Sequence, residues 1–210
     1  AGFIGSNFTR ALLAKNIKVV CIDNFNDFYD PQIKFTNISE FERNMNYNYI
    51  VGDIRDIKLM DNLFLNHQFD AVINLAAMAG VRPSIENPIL YEDVNVKGFQ
   101  VLLECMKKYE VKKLVAASSS SVYGNNKKVP FSETDNVDFA ISPYAATKKS
   151  NEVMAHVYHS LYNFDIIMLR FFTVYGPGQR PDLAIHKFTR MIDEGKPIPF
   201  FGDGSTKRDY

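Results

Sequence analysis

Several things are scarce in this 210-residue sequence, and each scarcity removes a class of protein. There are 2 cysteines, Cys21 and Cys105, both inside apolar stretches (VVCID and LLECM), which reads as reduced thiols rather than a disulfide framework. No apolar run approaches the roughly 20 residues that cross a bilayer. No basic-then-apolar segment opens the residues at hand, so a cytoplasmic protein is expected. With 24 basic and 24 acidic residues there is no net charge to hold a nucleic acid or an anionic membrane. The four histidines, His67, His156, His159 and His186, lack the spacing of a metal site, and no metal is expected.

What is present is the mix of a globular protein, 46% hydrophobic and 23% charged. Apolar strands alternate with amphipathic helices. The pattern predicts helices over Asn7–Lys15, Asp56–His67, Asn95–Tyr109 and Tyr144–Tyr162. Strands are predicted over Lys18–Asp23, Tyr47–Val51, Ala71–Ala77, Lys113–Ala117 and Asp165–Arg170. Near-continuous apolar strands between helices imply an α/β, Rossmann-like, doubly wound parallel sheet covered on both faces. The sequence starts at AGFIGS, and a strand is expected to precede that turn, so the sheet reads as one whose first strand is missing. Beyond Gly176 the texture turns to Gly, Pro and charge. A dinucleotide-binding domain over 1–175 is therefore expected, with 176–210 beginning a smaller substrate-binding part.

In such a sheet the ligand lies at the carboxyl ends of the strands, where glycines let the backbone approach a pyrophosphate at a helix N-terminus. Gly2, Phe3, Ile4 and Gly5 fall there. Asp23, closing the next strand, suits two ribose hydroxyls and repels a 2′-phosphate, which favours NAD over NADP. Asp53 and Ile54 follow a strand and can hold an adenine edge. Leu75, Ala76 and Ala77 give small side chains at a strand end where a cofactor passes. Asn95 can position the catalytic helix or a water beside the cofactor.

ISPYAATKKS sets Tyr144 and Lys148 four apart, on one face of a helix, with attachment points about 6 Å apart. A free tyrosine, with a pKa of about 10, is a poor base at neutral pH, and a neighbouring ammonium favours its phenolate. Lys148 can also hydrogen-bond the nicotinamide ribose. The serine cluster VAASSSSVYG closes a strand upstream, and Ser119 can donate to a substrate oxygen while Tyr144 takes its proton.

These motifs carry a resemblance. AGFIGS, DNFNDFYDP, GDIRD, NLAAMAGVRPS, SSSSVYG, SPYAATKK, LRFFTVYGPGQRPD and FGDGSTKRDY, in this order, resemble the extended short-chain dehydrogenases/reductases. Within them the pattern is most similar to the UDP-glucuronate 4-epimerases, and DNFNDFYDP with TVYGPGQRPD is specific to that branch. The resemblance covers essentially the whole chain. It implies a tightly held NAD, reduced and reoxidised in each turnover, and a 4-keto sugar that turns over in the site. It implies catalytic roles for Ser119, Tyr144 and Lys148, and cofactor contacts from Asp23, Asn24, Asp53 and Ile54. It further implies substrate contacts from Thr173, from Arg208 at the diphosphate, from Pro199 and Phe201 near the uracil, and from Arg82 and Arg180 near the sugar or its diphosphate. Members of the family continue roughly 100 residues past RDY, enough to close a substrate lobe.

Related 4,6-dehydratases carry an acid pair where this chain has Ser120 and Ser121, and related decarboxylases carry a Glu at the second position. Serines cannot act as acids near neutral pH. They can instead hydrogen-bond a substrate carboxylate. The resemblance also implies a homodimer through a four-helix interface built from Asn95–Tyr109 and Tyr144–Tyr162. A decarboxylase, a dehydratase and a binding-only nucleotide-sugar module stay open as alternatives.

Overall fold

The computed structural model describes residues 1–200 and 202–204. The described residues form α1 (Phe3–Leu13), β1 (Val19–Asp23), α2 (Pro31–Ser39), β2 (Tyr47–Val51), α3 (Ile57–Asn66) and β3 (Val72–Asn74). Then follow α4 (Val81–Glu86), α5 (Pro88–Glu92), a π-helical turn (Asp93–Lys97), α6 (Gly98–Lys108) and β4 (Lys113–Ala117). A 3-10 turn (Ser120–Tyr123) leads to α7 (Pro143–Tyr162), β5 (Asp165–Leu169) and α8 (Ala184–Asp193).

Every ladder is parallel. β1 pairs with β2 in the register Val19↔Tyr47 to Asp23↔Val51. β3, β4 and β5 pair in that order, Asn74 opposite Ala116 and Ala117 opposite Leu169. Parallel neighbours require helical crossovers, and α2, the α4–α6 run and α7 supply them. The apolar strand sequences suggested burial on both faces. In fact Val51, Ile73 and Ile167 stay exposed, each on a strand at the edge of its sheet.

The chain divides into two compact units, residues 1–51 with 172–210, and residues 52–171. In the first, Leu13, Phe25, Ile38 and Phe41 form the core with Val19, Phe35, Tyr47 and Tyr49 packed against it. The turn after β1 is a relay of side-chain caps. Asp23 Oδ1 accepts from Phe25 N at 2.8 Å, Asn24 Oδ1 from Asn26 N at 3.2 Å, and Asn26 Oδ1 from Phe28 N at 3.2 Å. The relay carries Phe25 at φ +48°, and its buried ring stacks on Phe35 at 4.2 Å. Asp30 then caps α2 through Gln32 N, with Pro31 in the first turn.

In the second unit α3 and α6 pack together, and α6 packs against α7. Leu102, Leu103 and Met106 are buried along α6. The α6 start needs a glycine, because a Cβ on Gly98 would fall 2.6 Å from Ile54 Cδ1. Ile54 is thus a packing residue beneath α6 as well as a candidate adenine contact.

Candidate active site

α7 carries the Tyr144–Lys148 pair, and its first turn explains why it starts where it does. Ser142 is the N-cap, accepting from Ala145 N at 3.1 Å, and Pro143 opens the helix. At the far end Asn163 takes the left-handed conformation (φ +57°) that stops it. The face that carries Ala145, Lys148, Asn151, Ala155 and Tyr158 is buried.

Lys148 is 3% exposed, and its Nζ donates to the Ala117 carbonyl at 2.8 Å, at the end of β4. The same Nζ lies 6.0 Å from the centre of the Tyr144 ring. Burial of the ammonium pulls its pKa down to about 8. An ammonium held by a carbonyl and facing a phenol ring is poised to stabilise charge on that phenol.

The three residues that leave β4 are each fixed differently. Ala117 takes Lys148. Ser118 Oγ donates to Glu152 Oε1 at 2.5 Å. Ser119 caps the 3-10 turn, and its Oγ accepts from Ser121 Oγ at 2.7 Å and from Ser121 N at 3.2 Å. With two donors into its oxygen, the Ser119 hydroxyl has its O–H left to donate in a hydrogen bond. Ser120 N donates to the Phe171 carbonyl at 2.9 Å, which ties the serine turn to the segment after β5.

Glu152 and Arg170 lock this arrangement from below. Arg170 Nε and Nη2 each donate to the Glu152 carboxylate at 2.9 Å, a two-pronged pair with both side chains largely covered. Burial alone would raise the Glu152 pKa, but the Arg170 and Ser118 hydrogen bonds outweigh it and hold the carboxyl below its ordinary range. Arg170 Nη1 reaches the Glu133 carbonyl at 3.1 Å and Tyr123 Oη at 3.3 Å.

Asn95 sits in the π turn and is 2% exposed. Its Oδ1 accepts from Met78 N at 2.8 Å, and its Nδ2 donates to Met78 O and to Thr147 Oγ1, each at 3.1 Å. Thr147 in turn donates to the Tyr144 carbonyl at 2.8 Å. Asn95 thus couples the turn after β3 to the helix that bears Tyr144. The strand itself ends at Asn74, so Leu75, Ala76 and Ala77 lie beyond it, and Ala76 N donates to Asn74 Oδ1 at 3.2 Å. Asp53 holds Arg55 through both carboxylate oxygens, at 2.9 and 2.7 Å, and Arg55 bridges on to Asp93 at 2.5 Å. Arg82 is exposed on α4.

The other unit holds the remaining candidates. α1 begins directly at Phe3 behind Gly2, with no side-chain cap on its first turn, so Phe3, Ile4 and Gly5 lie where amide hydrogens face outward. Asp23 Oδ1 is paired with the buried Lys34 Nζ at 2.9 Å. Burial pushes the Asp23 pKa up, while the Lys34 ammonium and the Phe25 N–H pull it down. Asn24 is exposed beside it, and so is Thr173. Arg180 is engaged by Asp182 at 3.0 and 2.9 Å and lies 5.4 Å from the Phe28 ring centre. Pro199 is half-buried. Phe201 and Arg208 lie outside the described residues.

Sequence reasoning missed Lys34, Ser84, Tyr91, Glu152 and Arg170. Only Glu152 had a signal, standing one helical turn beyond Lys148. No group of three His, Cys, Asp or Glu among the described residues is placed to hold a metal, and no described helix is long and apolar enough to cross a membrane.

A parallel α/β sheet with a buried lysine one turn from a tyrosine, beside a serine-rich strand end, defines the extended short-chain dehydrogenase/reductase class. A family model described as GDP-mannose 4,6 dehydratase matches residues 1–210, and the chain belongs to that family of NAD-dependent epimerases and dehydratases. It is 46% identical over 210 residues to a UDP-glucuronate 4-epimerase of Thermodesulfobacterium geofontis, spanning 65% of that protein. It is 46% identical over 214 residues to UDP-glucuronate 4-epimerase 4 of Arabidopsis thaliana, spanning 49% of it. The crystal structure of the Bacillus cereus UDP-glucuronic acid 4-epimerase with UDP-glucuronic acid and NAD matches at a TM-score of 0.91 and 40% identity, over 99% of this chain and 65% of that one. The chain thus spans about two thirds of the length of these bacterial relatives.

Proposed function

We propose that the complete gene product interconverts UDP-glucuronate and UDP-galacturonate by inverting C4 through a 4-keto sugar. The observation that carries this reading is Lys148, buried, held on the Ala117 carbonyl and facing the Tyr144 ring. In it Tyr144 removes the proton of the sugar 4-hydroxyl, and Lys148 stabilises the phenolate that makes this possible near neutral pH. Ser119, whose oxygen already accepts from Ser121, donates a hydrogen bond to the sugar O4 and keeps its proton. Ser120 and Ser121 take the place of the acids that dehydratases and decarboxylases use, and hydrogen-bond the substrate carboxylate.

NAD, if bound, would supply a reversible hydride acceptor for C4 of the sugar. The residues fit such a dinucleotide. The uncapped first turn of α1 behind Gly2 suits a pyrophosphate, and Asp23 and Asn24 at the end of β1 suit the adenosine ribose. Asp53 and Ile54 suit the adenine, and Leu75, Ala76, Ala77 and Lys148 the nicotinamide half. Asn95 serves it indirectly, by fixing Met78 and Thr147. Residues 1–175 then form the dinucleotide part. Residues 176–210 begin the substrate part, where Arg180, Pro199, Phe201 and Arg208, with Thr173 and Arg82 from the first part, meet the UDP-sugar. Exposed Val153, Val157 and Leu161, four apart along α7, support a dimer through α6 and α7. A cytoplasmic enzyme completes the reading.

The test is to incubate the complete gene product with NAD and UDP-glucuronate and to separate the products. A hexuronate with an axial 4-hydroxyl is expected. A UDP-pentose would replace the reading with decarboxylation, and bound NAD with unchanged sugar would point to a binding module.

A further inference from the structure

The backbone amide and the ring of Tyr144 are each held by a buried side chain that none of the roles above uses. α4 and α5 lie before the π turn, and two of their side chains, Ser84 and Tyr91, are 0% and 1% exposed. Ser84 Oγ accepts from the Tyr144 backbone N–H at 3.1 Å, across 60 residues of sequence, and donates to the Val81 carbonyl at 2.6 Å. The first-turn amides of a helix lack intrahelical partners. Here Ser142 satisfies Ala145, whereas the amide of Tyr144 itself is satisfied from another element. Tyr91 meets the Tyr144 ring edge-on, with centres 6.2 Å apart and planes at 86°. Its own hydroxyl donates to the Ala79 carbonyl at 2.7 Å. Gly80, at φ +104°, makes that turn possible, and a Cβ there would lie 3.3 Å from Pro83 Cδ.

We propose that Ser84 and Tyr91 are positioning residues for Tyr144. Ser84 fixes the backbone from which the phenol projects, and Tyr91 fixes the plane of its ring. The reason to expect a kinetic effect is geometric. A general base works only within hydrogen-bond reach of its proton, and a displacement of about 1 Å can cost about a hundredfold in rate. The inference rests on the reading of Tyr144 as the base, and the experiment separates the two.

In the complete gene product with NAD and UDP-glucuronate, Ser84→Ala and Tyr91→Leu are expected to lower kcat about tenfold while KM stays within about twofold. Tyr91→Phe keeps the ring and loses only the bond to Ala79, so its kcat is expected to stay within about threefold of the parent. The Tyr144 titration, followed by NMR of 13Cζ-labelled tyrosine and assigned with Tyr144→Phe, should shift in Ser84→Ala and Tyr91→Leu and hold in Tyr91→Phe. Lower melting temperatures with unchanged kcat and unchanged titration would reduce both residues to a structural cap and overturn the proposal. Should one variant fail to fold, the other decides alone, with Tyr91→Met standing in for Tyr91→Leu. Full activity in Tyr144→Phe would overturn the base assignment. An inactive Tyr144→Phe beside parental Ser84→Ala and Tyr91→Leu would overturn only the positioning roles.

Discussion

Among the described residues two lysines are buried, and they are buried differently. Lys34, 7% exposed in the unit that holds β1, faces a carboxylate, with Nζ 2.9 Å from Asp23, and the rings of Phe25 and Tyr29 lie 6.0 and 5.5 Å from it. Lys148, 3% exposed in the other unit, faces a backbone carbonyl and a phenol ring. A paired buried charge is structural, because removing its partner strands the other charge. A buried cation held by a carbonyl stores an electrostatic demand for negative charge nearby. That demand is what a tyrosine base needs, and on the proposed reading it distinguishes a catalytic Lys148 from a supporting Lys34.

The contrast can be broken most forcefully by kinetics. Lys148→Met or Tyr144→Phe should lower kcat of the complete gene product by about a thousandfold, whereas Lys34→Met should act chiefly on NAD affinity and stability. Steady-state kinetics at saturating NAD separates the two. Stability should run the other way. In the ligand-free chain Lys34→Met leaves Asp23 short of its partner and should cost about 3 kcal/mol. Lys148→Met removes an ammonium that burial disfavours and should be neutral or stabilising, as urea unfolding would report.

A pH effect follows from the same site. The Lys148 pKa is lowered to about 8 in the fold, against about 10.4 for an unperturbed lysine. Between these values the unfolded chain binds more protons than the folded one, so this group makes stability rise as pH rises through that window. The rise should vanish in Lys148→Met, measured as the difference between the two melting curves across the window. The smallest expected effect is Gly98→Ala, whose Cβ would press on Ile54 and cost about 1–2 kcal/mol. Ile54→Val in the same chain should return part of that loss, and thermal melts of the single and double variants would show it.

The strands Tyr47–Val51 and Lys113–Ala117 were legible to the residue, because each is a short, mostly aromatic or aliphatic run bounded by polar segments. α7 was legible within one residue at its start, and Ser142-Pro143 names that start. α1 begins at Phe3 rather than Asn7, since the turn glycine leads straight into the helix. α2 was overlooked although Asp30-Pro31 is a start signal, because its apolar residues do not form one stripe. α4 and α5 are too short to show a period, and the helical run already under way hid that Asn95 lies in a π turn rather than at a helix start. α8 lies in the Gly-, Pro- and charge-rich stretch beyond Gly176, where no helix was assigned.

Within the site, what spacing along one helix can encode was legible, namely Tyr144 and Lys148. What depends on partners 52 or 60 residues apart was not, as with Asn95 on Thr147 and Ser84 on Tyr144. Glu152 falls between, on the legible face but with its meaning fixed by Arg170 just past β5 and Ser118 just past β4.

The central claim, that Tyr144 and Lys148 drive a reversible oxidation at C4 of a UDP-hexuronate, is tested most directly with UDP-glucuronate deuterated at C4. Incubated with the complete gene product and NAD, it should give UDP-galacturonate that keeps the deuterium at C4, and none in Tyr144→Phe. Loss of the deuterium to solvent, release of carbon dioxide with a pentose product, or an undiminished rate in Tyr144→Phe would contradict the account.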